Sequence, residues 1–400
     1  MAPEQPAELS NKEEIHTMQK KLIAAAVAGL IAVPALAQTN VTISGRVATG
    51  WESYKLSGGG FTGHDSESRV SDQSSRIIFN VNEDLGGGLK AWAQMDMRYG
   101  NDMGGIAMSG NTGAGFMGSW GKFTIGRWDV HYGELDGAIG GNRAGSLQTL
   151  VGNGIMSQVW NGAALATMGN GTRTPNLLMW DSPNWNGFTA RLGYSTTGSG
   201  AATTEGNTNR ANGDPGAGRS WTGAVRYNNG PWTAGLSYWN SNAESQVNGA
   251  AENDQRSTRA WVGYTFAMGL KLGFAWDRSS LDTGVNGGAS FRAARNAWTI
   301  PVSYAWGPHK VYGQYARAGS HSGSAIAAGT GGRYKAHQWM LGYDYAFSKR
   351  TSAGVFYTKV NNASMGAYDM FGLVVNGATA TSGAGGEDSR QWYFGMAHNF

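Results

Sequence analysis

Hydrophobic and polar residues trade places at every position in segment after segment of this chain. Ile77, Phe79 and Val81 face one way, and Arg76, Asn80 and Asn82 the other. Leu89, Ala91, Ala93, Met95, Met97 and Tyr99 oppose Lys90, Gln94, Asp96 and Arg98. The same alternation recurs over Phe188–Tyr194, Leu270–Trp276, Trp298–Trp306 and Trp339–Phe347. A period of two marks β-strands. The final stretch is the clearest: Trp392, Phe394, Met396, His398 and Phe400 alternate with Tyr393, Gly395, Ala397 and Asn399. This predicts a strand with one apolar face that runs to the last residue. A closed barrel uses its last strand in that way, because it pairs with the first.

The connections are of two kinds, and the kinds alternate. Short turns are expected at 86–88, 120–121, 184–187, 228–230, 267–269, 307–308 and 348–350. Long polar stretches rich in Gly, Ser and Asn fall at 56–72, 100–112, 128–173, 198–217, 242–255, 280–293, 319–333 and 361–388. Seven turns and eight loops imply sixteen strands, each long enough to cross a bilayer when tilted. In a soluble sandwich, one strand face packs against protein; here the second face is small and polar throughout. The expectation is an all-β protein, a 16-stranded antiparallel transmembrane β-barrel. Three irregularities stand out. Strand 4 is short and Gly-rich, strand 13 has no clean face, and Pro301 lacks a ladder donor and predicts a bulge.

Composition agrees. Gly is 63 of 400 residues, more than double the usual share of about 7%, and charged residues are only 14%. The 16 Trp and 16 Tyr suit membrane interfaces. There is no Cys, hence no disulfide framework. Near the start, Lys20-Lys21 precedes an apolar run from Leu22 to Val33 and Pro34-Ala35-Leu36-Ala37. That is the form of a secretory signal over 18–37, cleaved after Ala37, and too short for a membrane anchor. Residues 1–17 are polar and acidic and read as a misplaced start, with Met18 the initiator. The expected mature domain is 38–400, with 28 basic and 23 acidic residues. It has no Lys/Arg cluster, so nucleic acid is not an expected partner.

Four stretches resemble the general porins of Gram-negative outer membranes, of the β-proteobacterial type. These are Val41-Thr-Ile-Ser-Gly-Arg46, Ser75 to Ala91 with its Glu-Asp-Leu-Gly turn, Gly121-Lys-Phe-Thr-Ile-Gly-Arg127, and Trp180-Asp-Ser-Pro-Asn-Trp-Asn-Gly-Phe188. His398 and Phe400 match the family's terminal signature. The resemblance implies a homotrimer in outer-membrane lipid, each barrel a water-filled pore narrowed by an inward-folded third loop. It also implies that the last strand, with Trp392, Phe394, His398 and Phe400, is read by the barrel-assembly machinery.

A pore needs a polar wall, a constriction and a field. Parity places Arg46, Arg76, Lys90, Arg98, Arg191, Arg226, Arg259 and Lys271 on the polar face, against Glu52, Asp96, Asp277 and Asp344. The third loop adds Glu134 and Asp136 but also Arg143. Basic residues outnumber acidic ones, which favours anions weakly. Strict alternation puts Arg127 on the lipid face with Phe123 and Ile125; a bulge at Gly126 would turn it inward, as the resemblance implies. Met179 stands where such porins often carry a basic residue. Trp92 and Trp239 fall on the polar face, as space-fillers or as stacking surfaces for sugars.

Other signals fail on context. Gly113-Ala-Gly-Phe-Met-Gly118 is followed by a strand, not the helix a dinucleotide site requires. His131-x-x-Glu134 has no third ligand nearby. No enzyme, metal or cofactor is expected. The reading is a passive channel for small hydrophilic solutes and ions. The alternatives are a selective porin for sugars or organic anions, and a plugged barrel acting as an adhesin.

Overall fold

The computed structural model describes residues 40–58, 66–131, 133–139, 154–160, 165–167, 173–196, 218–242, 251–285, 288–366, 368 and 385–400. The expected leader and Arg143 lie outside the described residues, as does the side chain of Asp136.

Sixteen strands make the wall. They begin with β1 (Asn40–Gly58), β2 (Glu67–Asp72 and, after a break, Arg76–Gly86), β3 (Leu89–Tyr99), β4 (Thr112–Gly118) and β5 (Gly121–Asp129). Then come β6 (Arg173–Asp181), β7 (Phe188–Ser195), β8 (Arg219–Asn229), β9 (Trp232–Asn242), β10 (Ala251–Thr265) and β11 (Leu270–Val285). The last are β12 (Ser290–Trp306), β13 (His309–Ser322), β14 (Ala336–Ala346), β15 (Thr351–Asn362) and β16 (Glu387–Asn399). Each strand pairs antiparallel with its sequence neighbours. The ring closes where β1 meets β16, in unbroken register from Arg46–Asn399 to Gly58–Glu387. The seven expected short turns join β2–β3, β4–β5 and onward to β14–β15.

The alternation is visible in exposure. On β16, Trp392 and Phe394 are 55% and 61% exposed, while Tyr393 and Ala397 are each 1% exposed. The first set faces outward and the second lies inside. Two glycines serve the inner packing: a Cβ on Gly50 or Gly395 would collide with the Tyr393 ring. Phe394→Arg would put a charge on the outer face, at a cost of about 2–4 kcal/mol near the bilayer midplane. Urea unfolding from lipid vesicles should show that loss, and Phe394→Leu should not.

The structure departs from the sequence reading in several places along the wall. Part of the expected loop 56–72 is wall: Glu67–Asp72 pairs with Thr49–Tyr54 of β1. Between Asp72 and Arg76, β2 carries one residue more than β1, since Thr49 pairs with Asp72 but Arg46 with Arg76. Ser74 takes a φ of 71 there, and the Asp72 carboxylate accepts from the Ser74 and Ser75 amides. The expected loop at 280–293 shrinks to 286–289, because β11 and β12 run on past the bilayer-length segment. At Pro301 there is no bulge. Pairing with β13 runs straight through Pro301–Gln314, and on the other side the ladder skips Gly273 and Phe274 without changing register. A missing N–H omits a hydrogen bond but does not require an extra residue.

Candidate functional site

The inner face carries three groups of charges. The deepest surrounds Asp277 on β11. Its carboxylate accepts from Arg259 Nε at 3.0 Å, from Ser257 Oγ at 2.9 Å and from Ser279 Oγ at 2.5 Å, and it pairs with Arg295. Asp277, Arg259, Ser279 and His131 are all fully buried, and Arg295 is 1% exposed. A buried carboxylate needs this degree of pairing to stay ionised. Both arginines also reach the third loop. Arg259 donates to the Met156 carbonyl at 2.7 Å; Arg295 donates to those of Gln158, Met156 and Ile155 at 3.0, 3.1 and 3.3 Å. Apolar side chains complete the seat: Leu135, Ile139, Ile155 and Met156 cluster with Trp261 and Ala275 of the wall.

His131 opens this loop. Its Nε2 is 2.7 Å from Ser257 Oγ and its Nδ1 2.7 Å from Ser237 Oγ. Burial, reinforced by the Arg259 guanidinium and opposed by Asp277, lowers the imidazole to about 3. It is neutral, donates to Ser257 and accepts from Ser237. The three residue types of a hydrolase triad meet here, but Ser257 gives its proton to Asp277 and no solvent reaches it. That arrangement anchors a loop; it does not activate a nucleophile.

The second group sits on Glu134, in α1 (Gly133–Ile139). Arg226 grips Glu134 with two nitrogens. Arg191 reaches Glu134 at 3.2 Å and holds Asp181 with two bonds of 2.7 and 3.1 Å. Glu134, Arg191 and Arg226 line a cavity of about 370 Å³ together with Trp128, Asp129 and Trp261. Two cations meet two carboxylates, so the group is close to neutral.

The third group is not balanced. Arg46, Arg76 and Arg98 lie directly opposite one another on β1, β2 and β3. Cross-strand partners share a face, so three guanidinium groups form a row. Arg98 has a partner, Asp96, bound at 2.8 Å through two nitrogens. Arg46 and Arg76 form no ion pair among the described residues. The row thus leaves two unneutralised guanidinium groups on the described inner wall.

A model of the Gram-negative porin family matches residues 24–365. The chain belongs to that family. An outer membrane porin of Bordetella pertussis is 28% identical over 374 residues, covering 84% of this chain and 92% of that protein. Outer membrane porin protein 32 of Delftia acidovorans is 27% identical over 390 residues, covering 96% and 100%. Among solved structures, an anion-selective porin from Comamonas acidovorans superimposes with a TM-score of 0.69 at 24% identity, covering 90% of this chain and all of the other. OmpT of Vibrio cholerae in its trimer form gives 0.61 at 13% identity, covering 90% and 99%. The porin is thus an outer-membrane channel and not an enzyme.

The remaining expected residues of the porin are distributed unevenly. Lys90 is exposed beside the β2–β3 turn, opposite Asp84. Arg127 lies opposite Thr112, and the register there carries no bulge at Gly126. The extra residue is across the ladder in β6, between Thr174 and Leu177, where Asn176 has a φ of 49. The charges acting on Arg127 are Arg173, Asp129 and Arg98. Met179 packs with Val130, Val159 and Trp239, an apolar contact with the loop that a basic residue could not make. Trp92 and Trp239 point inward but are only 6% and 0% exposed, so they fill space and offer no stacking face. Arg295 was missed; its parity with Ala297 and Thr299 opposite the Trp298 stripe was the available signal. Lys122, absent from the expected wall charges, faces inward and lies 3.5 Å from the Trp92 ring centre.

Proposed function

We propose that this porin passes small hydrophilic solutes and ions with a weak preference for anions, and that the row Arg46–Arg76–Arg98 is its selective element. The observation that carries this is the register: three guanidinium groups share one face on adjacent strands, with one carboxylate, Asp96, among them. Fixed cationic charge on a wet wall raises the local anion concentration and lowers that of cations. Arg127 adds to the same field, Arg173 is held by Asp129 at 3.3 Å, and Lys90 acts at the mouth. The third loop, 128–173, folds into the lumen and sets its minimum width; its bonds to Arg259 and Arg295 support that placement. Glu134 and Asp136 then form the acidic side of the constriction, moderated by Arg143.

The chain is exported by a signal over 18–37. It assembles as a homotrimer in outer-membrane lipid, and the assembly machinery reads Trp392, Phe394, His398 and Phe400. The sharpest test is single-channel recording across a potassium chloride gradient. The zero-current potential should take the sign of chloride permeation, with closure in three steps. A cation-signed potential would refute the assignment of the arginine row.

A further inference from the structure

Several basic residues of the inner wall are occupied. Arg98, Arg191, Arg226, Arg259 and Arg295 each hold a carboxylate. A different arrangement occurs at the end of the barrel that bears the short turns, which in outer-membrane barrels is the periplasmic end. There the β14–β15 turn meets the foot of β1 and the end of β16 around a cavity of about 560 Å³. Arg46, Ser348, Lys349, Arg350, Ser352 and Asn399 line it. Among the described residues no carboxylate lies within ion-pair distance of Arg46, Lys349 or Arg350. Arg46 Nε and Nη2 are enclosed without a hydrogen-bond partner, an arrangement that costs free energy unless a ligand or water completes it.

The turn is held in shape. Ser348 Oγ accepts from the amides of Arg350 and Thr351, at 3.1 and 3.0 Å, and the Asn399 amide donates to the Arg350 carbonyl at 2.9 Å. The Ser348 hydroxyl proton remains available to an acceptor. The cavity therefore offers the Arg46 guanidinium, two further cations and the Ser348 hydroxyl, with no acidic side chain in its lining.

We propose that the periplasmic mouth holds a binding site for small polyanions bearing phosphate or carboxylate groups, built from Arg46, Lys349, Arg350, Ser348 and Ser352. A single guanidinium suits a bidentate oxyanion, and three cations around one cavity favour a ligand with more than one negative charge over chloride. Arg46 belongs both to this site and to the arginine row, so a polyanion arriving from the row passes directly to the mouth. The inference rests on the channel reading but not on the sign of its ion preference.

Inorganic pyrophosphate is the probe. Added to one chamber of a bilayer holding wild-type channels, it should reduce chloride current from the short-turn side at concentrations where the other side shows little effect. In Lys349→Gln/Arg350→Gln, the half-blocking concentration should rise about tenfold or more, since each lost charge-assisted contact is worth about a factor of ten. Block by gluconate, a bulky monovalent anion, should be weak in both proteins. Ser352→Asp keeps the Ser348 bonds of the turn and should weaken pyrophosphate block likewise, which covers a failure of the double variant to assemble. Equal block from both sides in the wild type, or unchanged block in both variants, would overturn the proposal. The zero-current potential of the same channels reports the ion preference separately.

Discussion

Asp277→Ala should release the third loop from the wall and leave a wider, noisier channel. The Asp277 carboxylate pairs with both Arg259 and Arg295 in a fully buried pocket. Without it, the two guanidinium groups lose the counter-ion they share. Removing one member of a buried ion pair costs about 3–5 kcal/mol. The barrel wall will not absorb that cost by opening, because its strands are bonded on both sides around a closed ring. The least cooperative unit opens first, and here that is the segment 154–160, held by Arg259, Arg295 and a few apolar contacts. Single-channel conductance should rise and flicker should increase, with unfolding of the whole barrel little changed. Asp277→Asn, which keeps acceptors for Ser257 and Ser279 but loses the charge, should be intermediate. An alanine variant with wild-type conductance and noise would show that the loop is held elsewhere.

Arg46→Gln/Arg76→Gln should move the ion preference toward cations with little loss of stability. Each charge acts on a permeating ion at roughly 8 Å through water with about 0.5 kcal/mol. An anion loses that attraction and a cation loses the matching repulsion. After partial screening by salt, the two removals should lower the anion-to-cation permeability ratio about fivefold. Neither side chain holds a carboxylate among the described residues, so their loss strands no partner. Arg98→Gln differs: it would leave Asp96, 2% exposed, without its two charge-assisted bonds. It should shift selectivity less cleanly and lower stability as well. An unchanged permeability ratio in the double variant would place selectivity outside the row.

Much of this was readable in the chain. In strand β16, Trp392 and Phe394 face out and Tyr393 and Ala397 in, as their spacing implied. The turn residues at Gly86–Gly88 and Gly307–Pro308 marked hairpins. Arg46, Arg76, Asp96 and Arg98 could be assigned to one face by counting in twos. Counting failed where an extra residue entered the ladder. The bulge at Ser74 and the one at Asn176 depend on side chains and partners across the sheet. The Gly126 expectation put the irregularity on the wrong strand. Pro301 failed for the opposite reason: the ladder tolerated the loss of one donor.

The chain by itself determined which face of each strand meets lipid, how many strands there are and how they connect. Those properties follow from local periodicity and turn chemistry, which act over two to ten residues. Only the tertiary structure decided what the inner charges do. Arg295 reaches the carbonyls of Gln158, Met156 and Ile155 across 137, 139 and 140 residues of sequence, and Arg226 reaches Glu134 across 92. Such contacts depend on closure of the ring and on where a long loop comes to rest. Arg46 and Arg98 read alike as sequence. One is left without a carboxylate and the other is neutralised, because strand register chooses which charges meet.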